Sequence, residues 1–276
     1  VTYNTPEVGR AAVELLEAAG YRVELIDKKC CGRPLISKGM LGQAKAHAEW
    51  NVARLAPLVA RGVPVVGLEP SCLLTLRDEY VDLLRTDESR QVAKSSFLLE
   101  EFLLRERGRG LAVQWKNGGA PRRALLHGHC HQKAMVGTAP TVQALRWAGF
   151  EVAEVDSGCC GMAGSFGFEK EHYDLSVGLG NRRLAPAVKA EPSTTEIVAP
   201  GVSCRQQIAH LADQRSGEAH QIAAAIVGLF DRLDRLARSA IAERRDCAFD
   251  PALIGDAQPL AHQSSGERLP VGADQH

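Results

Sequence analysis

Two cysteines in direct succession followed by glycine occur twice in this chain, as Cys30-Cys31-Gly32 and inside the run Gly158 to Gly167, G-C-C-G-M-A-G-S-F-G. The doublet restricts both the fold and the chemistry. Neighbouring Cα atoms across a trans peptide are ~3.8 Å apart, whereas a relaxed disulfide needs ~4.4–6.8 Å. A structural bridge within either doublet is therefore not expected, and both thiols of one tight turn stay available to a soft metal, iron–sulfur above all. The glycine that follows permits positive φ and close backbone approach, so that N–H groups can point at sulfur.

The two doublets belong to a longer repeat. Cys159 stands 129 residues after Cys30, and the same offset pairs Ala148 with Ala19, Gly149 with Gly20 and Phe150 with Tyr21. It also pairs Val152 with Val23 and Asp156 with Asp27. Cys204 falls three residues beyond the position that would pair with Cys72, a loop difference, and Cys130 pairs with Val1, which is no thiol. This is the signature of an internal duplication.

Element patterns follow the same order in each half. Thr5-Pro6-Glu7 reads as a helix start, with Val8, Ala12, Leu15, Leu16 and Ala19 at helical spacing and Gly20 as the stop. A short strand is expected over Tyr21 to Ile26, a helix over Leu41 to Ala60 and a buried strand over Val63 to Leu68. Helices are expected over Leu73 to Arg85 and Val92 to Arg107. The second half offers strands at Arg123 to His127, Phe150 to Val155 and Thr195 to Ala199, with helices at Thr138 to Ala148 and Lys170 to Val188. The expected fold is α/β: two duplicated Rossmann-like βαβ halves with largely parallel sheets, a C-terminal helix and a disordered tail. The boundaries read as 1–107 for the first repeat, N-terminally truncated because the chain opens mid-pattern at Val1, 108–121 for a linker and 122–212 for the second repeat. An amphipathic helix follows over 213–246, with Ile222, Ile226, Leu229, Leu233, Leu236 and Ala240 on one face, and a polar tail over 247–276.

In parallel sheets, ligands gather beyond the carboxyl ends of the strands. Each cysteine up to Cys204 follows an expected strand, so the fold should collect Cys130, Cys159, Cys160 and Cys204 at one sheet edge and Cys30, Cys31 and Cys72 at another. Buried free thiols acting as small hydrophobes are one alternative. A structural zinc site is a second, since His127, His129 and His131 flank Cys130. Adjacent ligands suit a single tetrahedral ion poorly, however, and a multi-iron cluster better. The histidines would share a face if extended, and supporting contacts are expected of them rather than ligation. The first-half trio is one thiol short of four, and reads as a defective or differently completed site, or none. Glu169, His172 and Asp174 read as the start of an exposed helix, and Glu69-Pro70 as shaping the Cys72 loop.

Composition narrows the remaining classes. With 33 basic and 33 acidic residues among 276 there is no electrostatic footprint for nucleic acid. No apolar run approaches the ~20 residues of a membrane span. Eight cysteines, four of them in the two C-C-G motifs, with no signal peptide, favour metal use in a reducing cytoplasmic setting over a secreted disulfide framework.

At these motifs the sequence resembles the cysteine-rich C-C-G domain family. The segments that carry the likeness are C-C-G-R-P-L-I-S-K-G, G-L-E-P-S-C, H-G-H-C-H-Q-K-A, G-C-C-G-M-A-G-S-F-G-F-E and G-V-S-C-R-Q-Q-I. The family includes the B subunit of heterodisulfide reductase, the glycolate oxidase iron–sulfur subunit and the C-terminal part of FAD-linked D-lactate and D-2-hydroxyglutarate dehydrogenases, to which the likeness is strongest. The resemblance implies an oxidoreductase component that passes electrons from flavin towards a quinone or cytochrome acceptor. It implies a [4Fe–4S]-type cluster held by Cys130, Cys159, Cys160 and Cys204, with Cys30, Cys31 and Cys72 as part of a second site. FAD would sit on an upstream domain or partner chain beside a ferredoxin-type cluster domain, and the location would be cytoplasmic or peripheral at the inner membrane face. Alone, the chain would not turn over a hydroxyacid. One departure matters. Heterodisulfide-reductase-like members close each motif with C-x-x-C, whereas here Cys72 leads to Thr75 and Cys204 to Gln207.

Overall fold

A computed structural model describes residues 5–113, 115, 122–212 and 219–220. Val1 to Asn4, the later linker, Cys247, the tail and the apolar face expected over Ile222 to Ala240 lie outside the described residues.

The first half opens with α1 (Pro6–Ala18), which buries Val8, Ala11, Ala12, Leu15 and Leu16 along one stripe. It continues through α2 (Arg33–Ser37), α3 (Leu41–Ala60), β1 (Val65–Gly67), α4 (Pro70–Arg77), α5 (Glu79–Leu84), α6 (Asp87–Lys94), β2 (Ser96–Leu98) and α7 (Leu99–Gly108). The second half runs β3 (Arg122–Leu126), α8 (Cys130–Met135), α9 (Ala139–Trp147), β4 (Phe150–Glu154), α10 (Tyr173–Arg182), α11 (Leu184–Ala190), β5 (Glu196–Val198), α12 (Val202–Leu211) and β6 (Ala219–His220). Two short 3₁₀ turns, Phe166–Phe168 and Lys170–His172, precede α10.

Every strand pairing among the described residues is parallel. β1 pairs with β2, Val65 opposite Ser96. The larger sheet has the order β4-β3-β5-β6, with Leu125 opposite both Ala153 and Ile197. The α/β expectation holds. β3 alternates as a central strand should: Ala124 and Leu126 face a core built with α1, α7 and α9, while Leu125 faces the opposite core with α11 and α12. A third cluster joins α3, α5 and α6 around Val52, Leu55, Tyr80 and Val92. The first core has a consequence for the halves, because α1 and α7 of one pack directly on β3 and α9 of the other.

The duplication is visible in the backbone. Ala19 and Ala148 end α1 and α9 with φ, ψ of −78°, 1° and −77°, 2°. Gly32 and Gly161 both take positive φ, 84° and 96°.

Four expectations need correction. The segment Tyr21 to Ile26 has only an isolated bridge at Arg22. Beside β1 the pairing partner is β2, so the alternation in Tyr21 and Val23 serves packing against the first core. The expected helix Val92 to Arg107 is α6, β2 and α7. Ser96 donates its hydroxyl to the Val92 carbonyl at 2.7 Å, closing α6, and Phe97 and Leu98 enter the sheet. The expected helix from Leu73 begins earlier, at Pro70, and breaks at Asp78 into α4 and α5, a corner that turns Tyr80 into the third cluster. Lys170 to Val188 breaks at Arg183 into α10 and α11, where Pro186 has no N–H to give the carbonyl of Arg182.

Candidate metal centre

Three neighbouring strands deliver the second-half cysteines to one place. Cys130 opens α8 just beyond β3, Cys159 and Cys160 lie in the loop after β4, and Cys204 sits in the first turn of α12 after β5. Because β4, β3 and β5 are adjacent, their carboxyl ends bring the four thiols together. The sulfurs neighbour one another in turn, Cys130 beside Cys159, Cys159 beside Cys160 and Cys160 beside Cys204. Those contacts between neighbours are the leading cause of an alternation in acidity. Cys159 and Cys204 are drawn well below the ordinary thiol range, while Cys130 and Cys160 are pushed above it. All seven cysteines among the described residues are free thiols, in line with the geometry of the doublets.

Gly161 fixes the turn. Its φ is 96°, its N–H donates to the Cys159 sulfur at 3.3 Å, and a Cβ there would stand 2.2 Å from the Ser176 carbonyl oxygen. Only glycine satisfies both the dihedral and the close approach.

The three histidines diverge, contrary to the expectation of a shared face. His127 continues β3, with its N–H bonded to the Val198 carbonyl at 2.9 Å and its Nδ1 2.8 Å from Ser157 Oγ. His127, Cys160 and Cys204 place their donor atoms within 4.8 Å of one another, close enough to hold one metal ion between them. His129 caps α8. Its Nδ1 accepts the N–H of His131 at 3.2 Å, so Nε2 carries the proton and donates to Ser71 Oγ at 3.1 Å. His131 turns towards Asp78 and Glu79.

The first-half trio also converges. Cys31 lies beside both Cys30 and Cys72. Contact with Cys30 pulls Cys31 down, but contact with Cys72 and burial outweigh it and hold Cys31 at about 11. Cys30 and Cys31 follow an irregular segment instead of the expected strand. The side chain of Asn51 pins that segment, accepting from Lys29 N at 2.9 Å and donating to Tyr80 Oη at 2.8 Å. Cys72 sits in the first turn of α4 after β1, matching Cys204 in α12.

The two cysteine groups are back to back. α4 packs against α8, and Ser71, next to Cys72, bonds His129, next to Cys130. Glu69 Oε2 accepts the N–H of Val202 at 2.9 Å, so it caps the helix of Cys204. Sequence reasoning gave Glu69 only a loop-shaping role. The signal lay in aligning E-P-S-C with G-V-S-C, where Glu69 matches Gly201, a position at which a Cβ would strike His129 Cδ2 at 2.3 Å. Glu169 and His172 are likewise not a bare exposed helix start: Glu169 bonds His172 at 3.0 Å and pairs with Lys38 of the first half.

A family model described as the cysteine-rich domain matches residues 1–77 and again 125–209. The chain belongs to the cysteine-rich, or CCG, domain family. Among relatives of this CCG protein is the C subunit of anaerobic glycerol-3-phosphate dehydrogenase from Escherichia coli (strain K12), 34% identical over 213 residues that cover 75% of the chain and 52% of the relative. D-2-hydroxyglutarate dehydrogenase from Pseudomonas putida is 28% identical over 215 residues, 77% of the chain and 20% of the enzyme. Lactate utilization protein A from Geobacillus thermodenitrificans is 28% identical over 169 residues, 58% of the chain and 67% of that protein. The chain thus spans about half the length of the first relative and a fifth of the second. Two of these relatives are dehydrogenases or parts of one, which ties the CCG protein to oxidoreductases. No helix among the described residues is long and apolar enough to cross a membrane.

Proposed function

We propose that this CCG protein is the iron–sulfur electron-transfer part of an FAD-linked D-2-hydroxyacid dehydrogenase, with Cys130, Cys159, Cys160 and Cys204 as ligands of a [4Fe–4S]-type cluster. The observation that carries the reading is the convergence of those four thiols, from three adjacent strand ends, into one run of neighbouring sulfurs. The donor set fits the group: four thiols, a backbone N–H already directed at one sulfur, and a buried imidazole nitrogen without a well-formed hydrogen bond. When bound, the cluster supplies one-electron transfer between a flavin and a quinone or cytochrome acceptor.

The chain's own residues hold and tune that centre. Gly161 brings an N–H to Cys159, the Glu69 carboxylate steadies the helix of Cys204, and the apolar side chains of Val155, Met162, Leu184 and Ile208 surround it. The trio Cys30, Cys31 and Cys72 forms a second, three-thiol site. Flavin and ferredoxin-type clusters belong to an upstream domain or partner chain, in the cytoplasm or at the inner membrane face. The relatedness to D-2-hydroxyglutarate dehydrogenase supports a 2-hydroxyacid as the substrate of the whole assembly. A second reading, glycerol 3-phosphate as that substrate, is supported by the 34% identity to the C subunit of anaerobic glycerol-3-phosphate dehydrogenase.

A redox titration of the anaerobically prepared protein tests the role. Reversible one-electron bleaching of a brown chromophore is expected, whereas a metal centre that takes up no electron across the biological range overturns electron transfer.

A further inference from the structure

We infer that His127 is a nitrogen ligand of the second-half centre, alongside Cys160 and Cys204. The inference rests on the proposed iron–sulfur reading and concerns a residue to which that reading gave no ligand role.

Three observations lead there. His127 is 1% exposed; its Nε2 makes no hydrogen bond of ordinary geometry among the described residues, and the ring stands within reach of the Cys204 sulfur. An imidazole nitrogen buried in that way forfeits its solvation, a loss that a metal bond offsets. Second, the donor atoms of His127, Cys160 and Cys204 lie within 4.8 Å of one another. Donor atoms that close can engage one centre through metal bonds of about 2.0–2.3 Å after little movement.

Third, the ring is held for the purpose. Its backbone N–H is tied to Val198 O at 2.9 Å, and Nδ1 lies 2.8 Å from Ser157 Oγ. With the proton on Nδ1 donated to Ser157, the Nε2 lone pair is free to face the sulfurs. This is the arrangement in which an outer partner sets the tautomer of a ligating histidine.

A neutral imidazole adds a donor without the negative charge that a further thiolate would bring, and so favours a higher reduction potential than a further thiolate would give.

Pulsed EPR on the dithionite-reduced protein, prepared with ¹⁵N-labelled histidine, tests the inference without any substitution. A strong hyperfine coupling that changes with the label is expected, well above the weak couplings of backbone amides. His127→Ala should lose that coupling, and His127→Cys should retain iron at a lower reduction potential. An iron–sulfur signal with no label-dependent strong coupling overturns the inference and leaves electron transfer standing. A protein without iron or acid-labile sulfide overturns the underlying reading itself, an outcome distinguishable by metal analysis alone.

Discussion

The Glu69 carboxylate accepts the backbone N–H of Val202 at 2.9 Å, so a residue at the end of a first-half strand caps the second-half helix that carries Cys204. Burial pushes Glu69 above the ordinary carboxylate value, against the pull of that N–H and of His129. Glu69→Ala should therefore destabilise the metal-free protein by about 1–2 kcal/mol, the range for a lost N-terminal cap. It should also lower iron per chain, while Glu69→Gln, which keeps an accepting oxygen, should do less. Chemical denaturation and metal analysis read both, and an alanine variant as stable as the parent would remove the capping role.

The two C-C-G glycines give an internal control. Both have positive φ, but a Cβ at Gly161 would meet the Ser176 carbonyl oxygen at 2.2 Å, whereas at Gly32 the nearest atom is 3.5 Å away. Gly32→Ala should cost about 1 kcal/mol through its dihedral alone. Gly161→Ala adds a backbone clash and should cost about 3 kcal/mol or more. Equal losses in denaturation midpoint would show that the tight turn around Cys159 and Cys160 is wrong.

Glu100 sets a pH dependence. It is buried where Gln132 Nε2 and Thr141 Oγ1 both donate to Oε1, at 3.0 and 2.9 Å, and burial raises it from 4.5 to about 7. Between those values the folded state holds a proton that the unfolded chain has released. Stability therefore falls as pH rises from about 4.5 to about 7 and is level above, a loss on the order of 3 kcal/mol. Glu100→Gln should flatten that slope. Denaturation curves at pH 5 and 8 that differ equally in the two proteins would contradict the assignment.

The sequence showed the doublets, the repeat and the placement of Cys72, Cys130, Cys159, Cys160 and Cys204 beyond strands, because these depend on local pattern and on the general geometry of parallel sheets. It did not show β2. Ser96 to Leu98 is too short for any periodicity, and its strand character comes from Val65 to Gly67, far away in sequence. The same holds for Tyr21 to Ile26, where alternation reflects packing of Tyr21 and Val23 without a regular strand. Glu69 and His129 were underread for a related reason. Their partners, Val202 and Ser71, sit in the opposite half, and only the back-to-back placement of α4 and α8 brings them together.

The central claim is that the second-half thiols hold an iron–sulfur centre. Iron, acid-labile sulfide and zinc per chain, measured after anaerobic purification, test it most directly, with Cys204→Ser and Cys247→Ser beside the parent. Brown protein with matching iron and sulfide is expected, lost from the second-half site in Cys204→Ser and unchanged in Cys247→Ser. Colourless protein with stoichiometric zinc, or equal iron loss in both variants, would contradict the account.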